Sequence, residues 1–134
     1  MFPRIARGSV STARILVVDD DDAVRGVLKV LLERVGYKVA AVSNGPDALA
    51  LVRAGEADLV LLDIEMPGMN GFDVCAQMHA DPQMRLIPVL IMTGRPIDGV
   101  PEKVQAVGAV ELIPKPFDRH SLLEKLKVHL SARD

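Results

Sequence analysis

Five short apolar runs alternate with longer stretches whose apolar residues recur at helical spacing, and this alternation restricts the chain to a layered α/β fold. The runs are residues 14–19 (RILVVD), 37–42, 59–62 (LVLL), 88–92 (PVLIM) and the weaker 110–113. The first of them, a continuous run of apolar, strand-favouring residues, fits a strand buried on both faces. Between them, Val24, Val27, Leu28, Leu31, Leu32 and Val35 form one helical face that stops at Gly36. Pro46 suits a first helical position, ahead of 48–54 and a stop at Gly55. Residues 72–80 read as a helix closed by Asp81-Pro82, and 101–107 as a short helix stopped by Gly108. Asp118 or Ser121 caps a last helix carrying Leu122, Leu123, Leu126 and Leu130. Five strands alternating with five helices predict a doubly wound, five-stranded parallel sheet with helices on both faces and right-handed crossovers.

With 134 residues, the chain reads as one domain with a single substantial core. A net charge of −2 and the lack of a basic stripe argue against direct nucleic-acid binding. The lone Cys75 excludes an internal disulfide and fits a reducing, cytoplasmic setting. No apolar run approaches the roughly 20 residues of a membrane helix. Residues 1–12 carry Arg4 and Arg7 but no apolar signal segment, so they read as an N-terminal extension, and 132–134 as a short tail.

Ligands of such sheets bind beyond the carboxyl ends of the strands, so the polar residues standing there matter most. Asp19 and Asp20 follow the first run, Asp63 the third, Thr93 the fourth and Lys115 the fifth. Asp19 to Asp22 are four aspartates in succession, and two such charges about 4 Å apart repel by roughly 4 kcal/mol at an effective dielectric near 20. A divalent cation removes that repulsion, and clustered carboxylates beside water suit Mg²⁺. Asp19 and Asp20 are then the candidate metal ligands. Asp63, alone at the centre of the edge, is the candidate nucleophile for phosphoryl transfer. Thr93 and Lys115 are placed to stabilise charge on the phosphoryl oxygens. Asp21 and Asp22 fit the positive end of the first helix.

Four stretches, VVDDDDAVR (17–25), LLDIEMPGMNG (61–71), MTG (92–94) and PKPF (114–117), together resemble the landmarks of response-regulator receiver domains, over roughly residues 13–131. The resemblance implies a flavodoxin-like sheet of order 2-1-3-4-5. It matches Asp63 to the phosphoacceptor, and Asp19, Asp20 and Asp63, with the backbone carbonyl of Glu65, to the Mg²⁺ ligands. Thr93 matches the switch hydroxyl, Lys115 its paired lysine, and Lys115–Pro116 a cis peptide. It further implies a sensor histidine kinase or histidine phosphotransfer protein as donor, and output through a protein partner, as a monomer or a phosphorylation-dependent dimer. Leu112 stands where the family usually has Tyr or Phe, and leucine offers neither ring nor hydroxyl. Glu65 and Arg95 occupy positions that tune acyl-phosphate hydrolysis. The segment 93–102 (TGRPIDGVPE), with two prolines and two glycines, predicts a late or short fourth helix.

Two other readings fit fewer residues. A phosphohydrolase of the haloacid-dehalogenase kind also places two aspartates as Asp19 and Asp21 stand. However, Ala23 replaces its usual Thr or Val, and no cap domain is evident. A constitutive interaction module would keep the fold without the chemistry, and only Leu112 favours it. Cys75 reads as core, the methionines as gap-fillers, and His79, His120 and His129 show no ligand spacing.

Overall fold

The computed structural model describes residues 13–94 and 100–133. Along the chain these form β1 (Arg14–Val18), α1 (Asp22–Arg34), β2 (Lys38–Val42), α2 (Gly45–Arg53), β3 (Leu59–Asp63), α3 (Gly71–Ala80), β4 (Val89–Thr93), α4 (Val100–Ala106), β5 (Glu111–Pro114) and α5 (Arg119–Arg133). The strands make one parallel sheet of order β2-β1-β3-β4-β5, as the alternation and the resemblance imply.

Side chains alternate across the strands and so feed two cores. Ile15 and Val17, Leu59 and Leu61, and Leu90 and Met92 pack with Leu28 and Leu32 of α1 and Leu122, Leu126 and Leu130 of α5. Leu16 and Val18, Val60 and Leu62, and Val89 and Ile91 pack on the other face with α2, α3 and Val104 of α4. Cys75 belongs to this second core. Burial pushes its thiol up to about 11, leaving little reactive thiolate at neutral pH.

Several boundaries differ from those read off the sequence. β4 and β5 each lie one residue later, because the ladder extends to the pairing of Thr93 with Pro114. α2 begins at Gly45 because the Asn44 side chain accepts the Asp47 amide at 2.8 Å and caps the helix. Asp118, not Ser121, caps α5, since its carboxylate accepts the Ser121 amide at 2.8 Å. The apolar face of α1 is narrower than its pattern implies. Leu28 and Leu32 are buried, whereas Val27 is 58% and Val35 37% exposed. A residue next to the buried stripe is turned about 100° from it, so Val27 clears the sheet. α4 is short, at seven residues, as the glycines and prolines before it predict. Residues 1–12 and the segment 95–99, with Arg95, lie outside the described residues.

Candidate functional site

The carboxyl ends of β1, β3, β4 and β5 bring the five strand-end residues to one edge. Asp19 is fully buried, and its polar groups are engaged on several sides. Its amide donates to the Val42 carbonyl at 3.2 Å. Its Oδ1 accepts the Asp21 amide at 2.9 Å. Lys115 Nζ donates to Asp19 Oδ2 at 2.8 Å and to Asp63 Oδ1 at 3.0 Å, so one ammonium bridges two carboxylates from different strands. Asp63, the last residue of β3, is 4% exposed, whereas Asp20 faces solvent. One oxygen each from Asp19, Asp20 and Asp63 lies within 4.8 Å of the other two.

Burial is the main cause that raises the Asp63 pKa above its ordinary value. The Lys115 hydrogen bond and charge pull it down, and the Asp19 and Asp20 charges push it up again. For Lys115, burial works towards the neutral amine, but the hydrogen bonds and charges of Asp19 and Asp63 together outweigh it and raise its pKa. The lysine therefore stays an ammonium at neutral pH. An all-oxygen set of three carboxylates beside solvent fits a hard divalent cation such as Mg²⁺, which keeps part of its water shell.

Thr93 ends β4 and is 7% exposed. Its carbonyl accepts the Lys115 amide at 2.6 Å, tying the switch-hydroxyl candidate to the lysine loop. The Lys115–Pro116 peptide is cis, as the resemblance implies. Glu65 follows Asp63 by two residues with an exposed side chain. Beside Lys115, Ala23, Val24, Val27, Pro116 and Phe117 line an apolar groove of about 380 Å³.

Gly71 closes the loop that follows Asp63. Its amide donates to the Ile64 carbonyl at 2.9 Å, and a Cβ there would sit 2.3 Å from the Asp63 carbonyl oxygen. Backbone cannot yield as a flexible side chain can. Gly71→Ala is expected to destabilise the protein by about 2 kcal/mol in urea titration, and to weaken Mg²⁺ binding by shifting Asp63. A wild-type midpoint would show that the loop relaxes freely.

Asp21 serves elsewhere: its carboxylate accepts the Ala23 and Val24 amides and caps α1. Two contacts escaped sequence reasoning. Arg25 Nη1 donates to the Asp19 carbonyl at 2.7 Å, and His129 Nε2 lies 3.3 Å from Glu111 Oε2. A lone arginine following an acidic run was the available signal for the first; the second pairing had none.

Residues 15–127 match the family model of the response regulator receiver domain. The chain belongs to the response-regulator receiver family. Receiver domains of this family serve two-component, phosphorylation-dependent signalling. The receiver is 39% identical over 121 residues to protein PilH of Pseudomonas aeruginosa, covering 89% of this chain and 98% of that one. Other curated relatives are longer, and the chain spans only 26% to 52% of their length. Its fold superposes on the chemotaxis protein CheY4 of Vibrio cholerae with a TM-score of 0.82 at 30% identity, covering 87% of this chain and 98% of that one. It superposes equally on the receiver domain of sensor histidine kinase PA1611 of Pseudomonas aeruginosa, a structure with a magnesium ion coordinated in the active-site cleft. That match has a TM-score of 0.82 at 25% identity and covers 89% and 98% of the two chains. No described helix of the receiver is long and apolar enough to cross a membrane.

Proposed function

We propose that this receiver, residues 13–131, is a Mg²⁺-dependent switch that takes a phosphoryl group onto Asp63 from a histidine kinase or histidine phosphotransfer protein in the cytoplasm. The observation that carries the reading is the Lys115 ammonium held between Asp19 and Asp63, with Asp20 beside them. This supports the reading because Asp63 as nucleophile, Lys115 as a fixed positive charge and Asp19 with Asp20 as metal ligands would then act on one phosphoryl group.

An Asp63 oxygen attacks phosphorus in line with the donor imidazole. The P–O bond forms as the P–N bond breaks, and the imidazole nitrogen keeps the electron pair and takes a proton from water. Lys115 Nζ and the Thr93 hydroxyl donate hydrogen bonds to the transferring oxygens, where such fixed donors are most effective. Asp19, Asp20, Asp63 and the Glu65 carbonyl would hold Mg²⁺, which draws charge from the same oxygens. The apolar groove of Val24, Val27 and Phe117 is a seat for the helix bearing the donor histidine.

The phosphoryl group adds a charge of about −1.5 to −2, and Thr93 and Lys115 turn towards it. Because the Thr93 carbonyl holds the Lys115 amide, that movement passes into β5, where Leu112 is half-buried against the α2–α3–α4 core. Packing of Leu112, rather than rotation of an aromatic ring, then reports the modified state to a protein partner on the α4–β5–α5 face.

Intact-mass spectrometry after incubation with a small phosphodonor tests the reading. The expected result is one phosphoryl group in Mg²⁺, mapped to Asp63, and none in EDTA. A chain that takes no phosphoryl group and binds no Mg²⁺ is instead a constitutive interaction module.

A further inference from the structure

The buried Asp19 is anchored through its main chain as well as its carboxylate. The Asp21 amide and Lys115 hold the two carboxylate oxygens, and the Val42 carbonyl takes the Asp19 amide. Its own carbonyl accepts from Arg25 Nη1 at 2.7 Å, reaching back from the first turn of α1. Nη2 of the same guanidinium donates to Asp22. The Arg25 side chain is only 21% exposed, so the fork lies against the β1–α1 loop rather than out in solvent.

We infer that Arg25 is a positioning residue for the Mg²⁺ site: it fixes the β1–α1 loop through the Asp19 carbonyl so that Asp19 and Asp20 keep facing Asp63. The inference rests on the switch reading above. Two groups orient the Asp19 carboxylate, and one of them, Lys115, is the group drawn towards an incoming phosphoryl oxygen. Once Lys115 turns away, the Asp21 amide and the Arg25 anchor remain. A rigid guanidinium suits the task, because its fork reaches two acceptors at once where an ammonium acts as a point charge.

Positioning and simple electrostatics predict opposite outcomes. By Coulomb's law alone, removing a cation beside three carboxylates strengthens Mg²⁺ binding; loss of the anchor weakens it. The experiment is a calorimetric Mg²⁺ titration of the metal-free chain as wild type, Arg25→Met, Arg25→Lys and Asp22→Asn, with circular dichroism melts to confirm folding. Arg25→Met is expected to bind Mg²⁺ about tenfold more weakly. Arg25→Lys recovers most of that loss, since an ammonium still donates to the Asp19 carbonyl. Asp22→Asn stays within about twofold of wild type, as an exposed pair contributes little. With a small phosphodonor, the half-saturating Mg²⁺ concentration of Arg25→Met rises in parallel. Binding as tight as wild type or tighter in Arg25→Met overturns the inference, as does a loss that lysine does not recover. If the wild type itself binds no Mg²⁺, the switch reading falls with it, so the two failures are distinguishable.

Discussion

Asp63→Asn will accept no phosphoryl group and will be more stable than the wild type at neutral pH without metal. The first effect is chemical, because an amide oxygen is no nucleophile towards phosphorus under these conditions. The second follows from the site's electrostatics. Burial and the Asp19 and Asp20 charges raise the Asp63 pKa despite Lys115, so the folded protein binds the Asp63 proton more tightly than the unfolded chain does. Stability from that difference is fully present below the unfolded pKa of about 3.9 and is lost as pH rises through the raised folded value. Wild type therefore gains on the variant as the solution is acidified across that window, and the variant leads above it. Asparagine keeps an oxygen of similar size for the Lys115 hydrogen bond, so packing is preserved. Urea titrations of both proteins from acid to neutral pH measure the difference. A variant less stable than wild type at neutral pH would mean that the Lys115 pairing outweighs burial.

Lys115→Met is expected to slow phosphorylation by a small phosphodonor by about 100-fold, the usual consequence of removing one transition-state donor. The same change leaves the Asp19 and Asp63 carboxylates, 1% and 6% exposed, without their shared ammonium. Breaking a buried pair from one side destabilises by about 3 kcal/mol, so the metal-free variant should unfold at lower urea. Mg²⁺ supplies the missing positive charge. Its binding should tighten, and it should restore stability more in the variant than in wild type. Equal Mg²⁺ affinity in the two proteins would show that Lys115 and the cation do not compete for the same carboxylates.

How much of this was legible in the sequence depends on the range of the interactions concerned. The strands were readable because central parallel strands such as LVLL of β3 are buried on both faces and so are apolar throughout. Asp63 and Thr93 stood out because they end such runs. The ends of β4 and β5 were misplaced by one residue, since pairing of Thr93 with Pro114 decides them and hydrophobicity does not register pairing. Val27 shares the apolar face of α1 by pattern yet is exposed, because a helical pattern shows which residues share a face but not how much of that face its neighbours cover. The four aspartates also proved to have separate tasks. Asp19 is buried beneath Lys115, Asp20 faces solvent, Asp21 caps α1, and Asp22 pairs with Arg25. The sequence separates Asp19 and Asp20 from Asp21 and Asp22, and the hydrogen bonds add the finer division within each pair.

The reach of Lys115 has a mechanical consequence. Ladder bonds join β5 to β4, β4 to β3 and β3 to β1, whereas the ammonium passes over β4 to grip residues at the ends of β3 and β1 together. It is a cross-tie to strands that share no ladder with β5, and it links three strand ends through one side chain. If a phosphoryl group on Asp63 claims the ammonium, the tie from β5 to the end of β1 is released, while the ladder of β1 with β3, the Val42 carbonyl and Arg25 still hold that end. A modification at one strand end would then be read as a change in which strand ends the lysine fastens to one another.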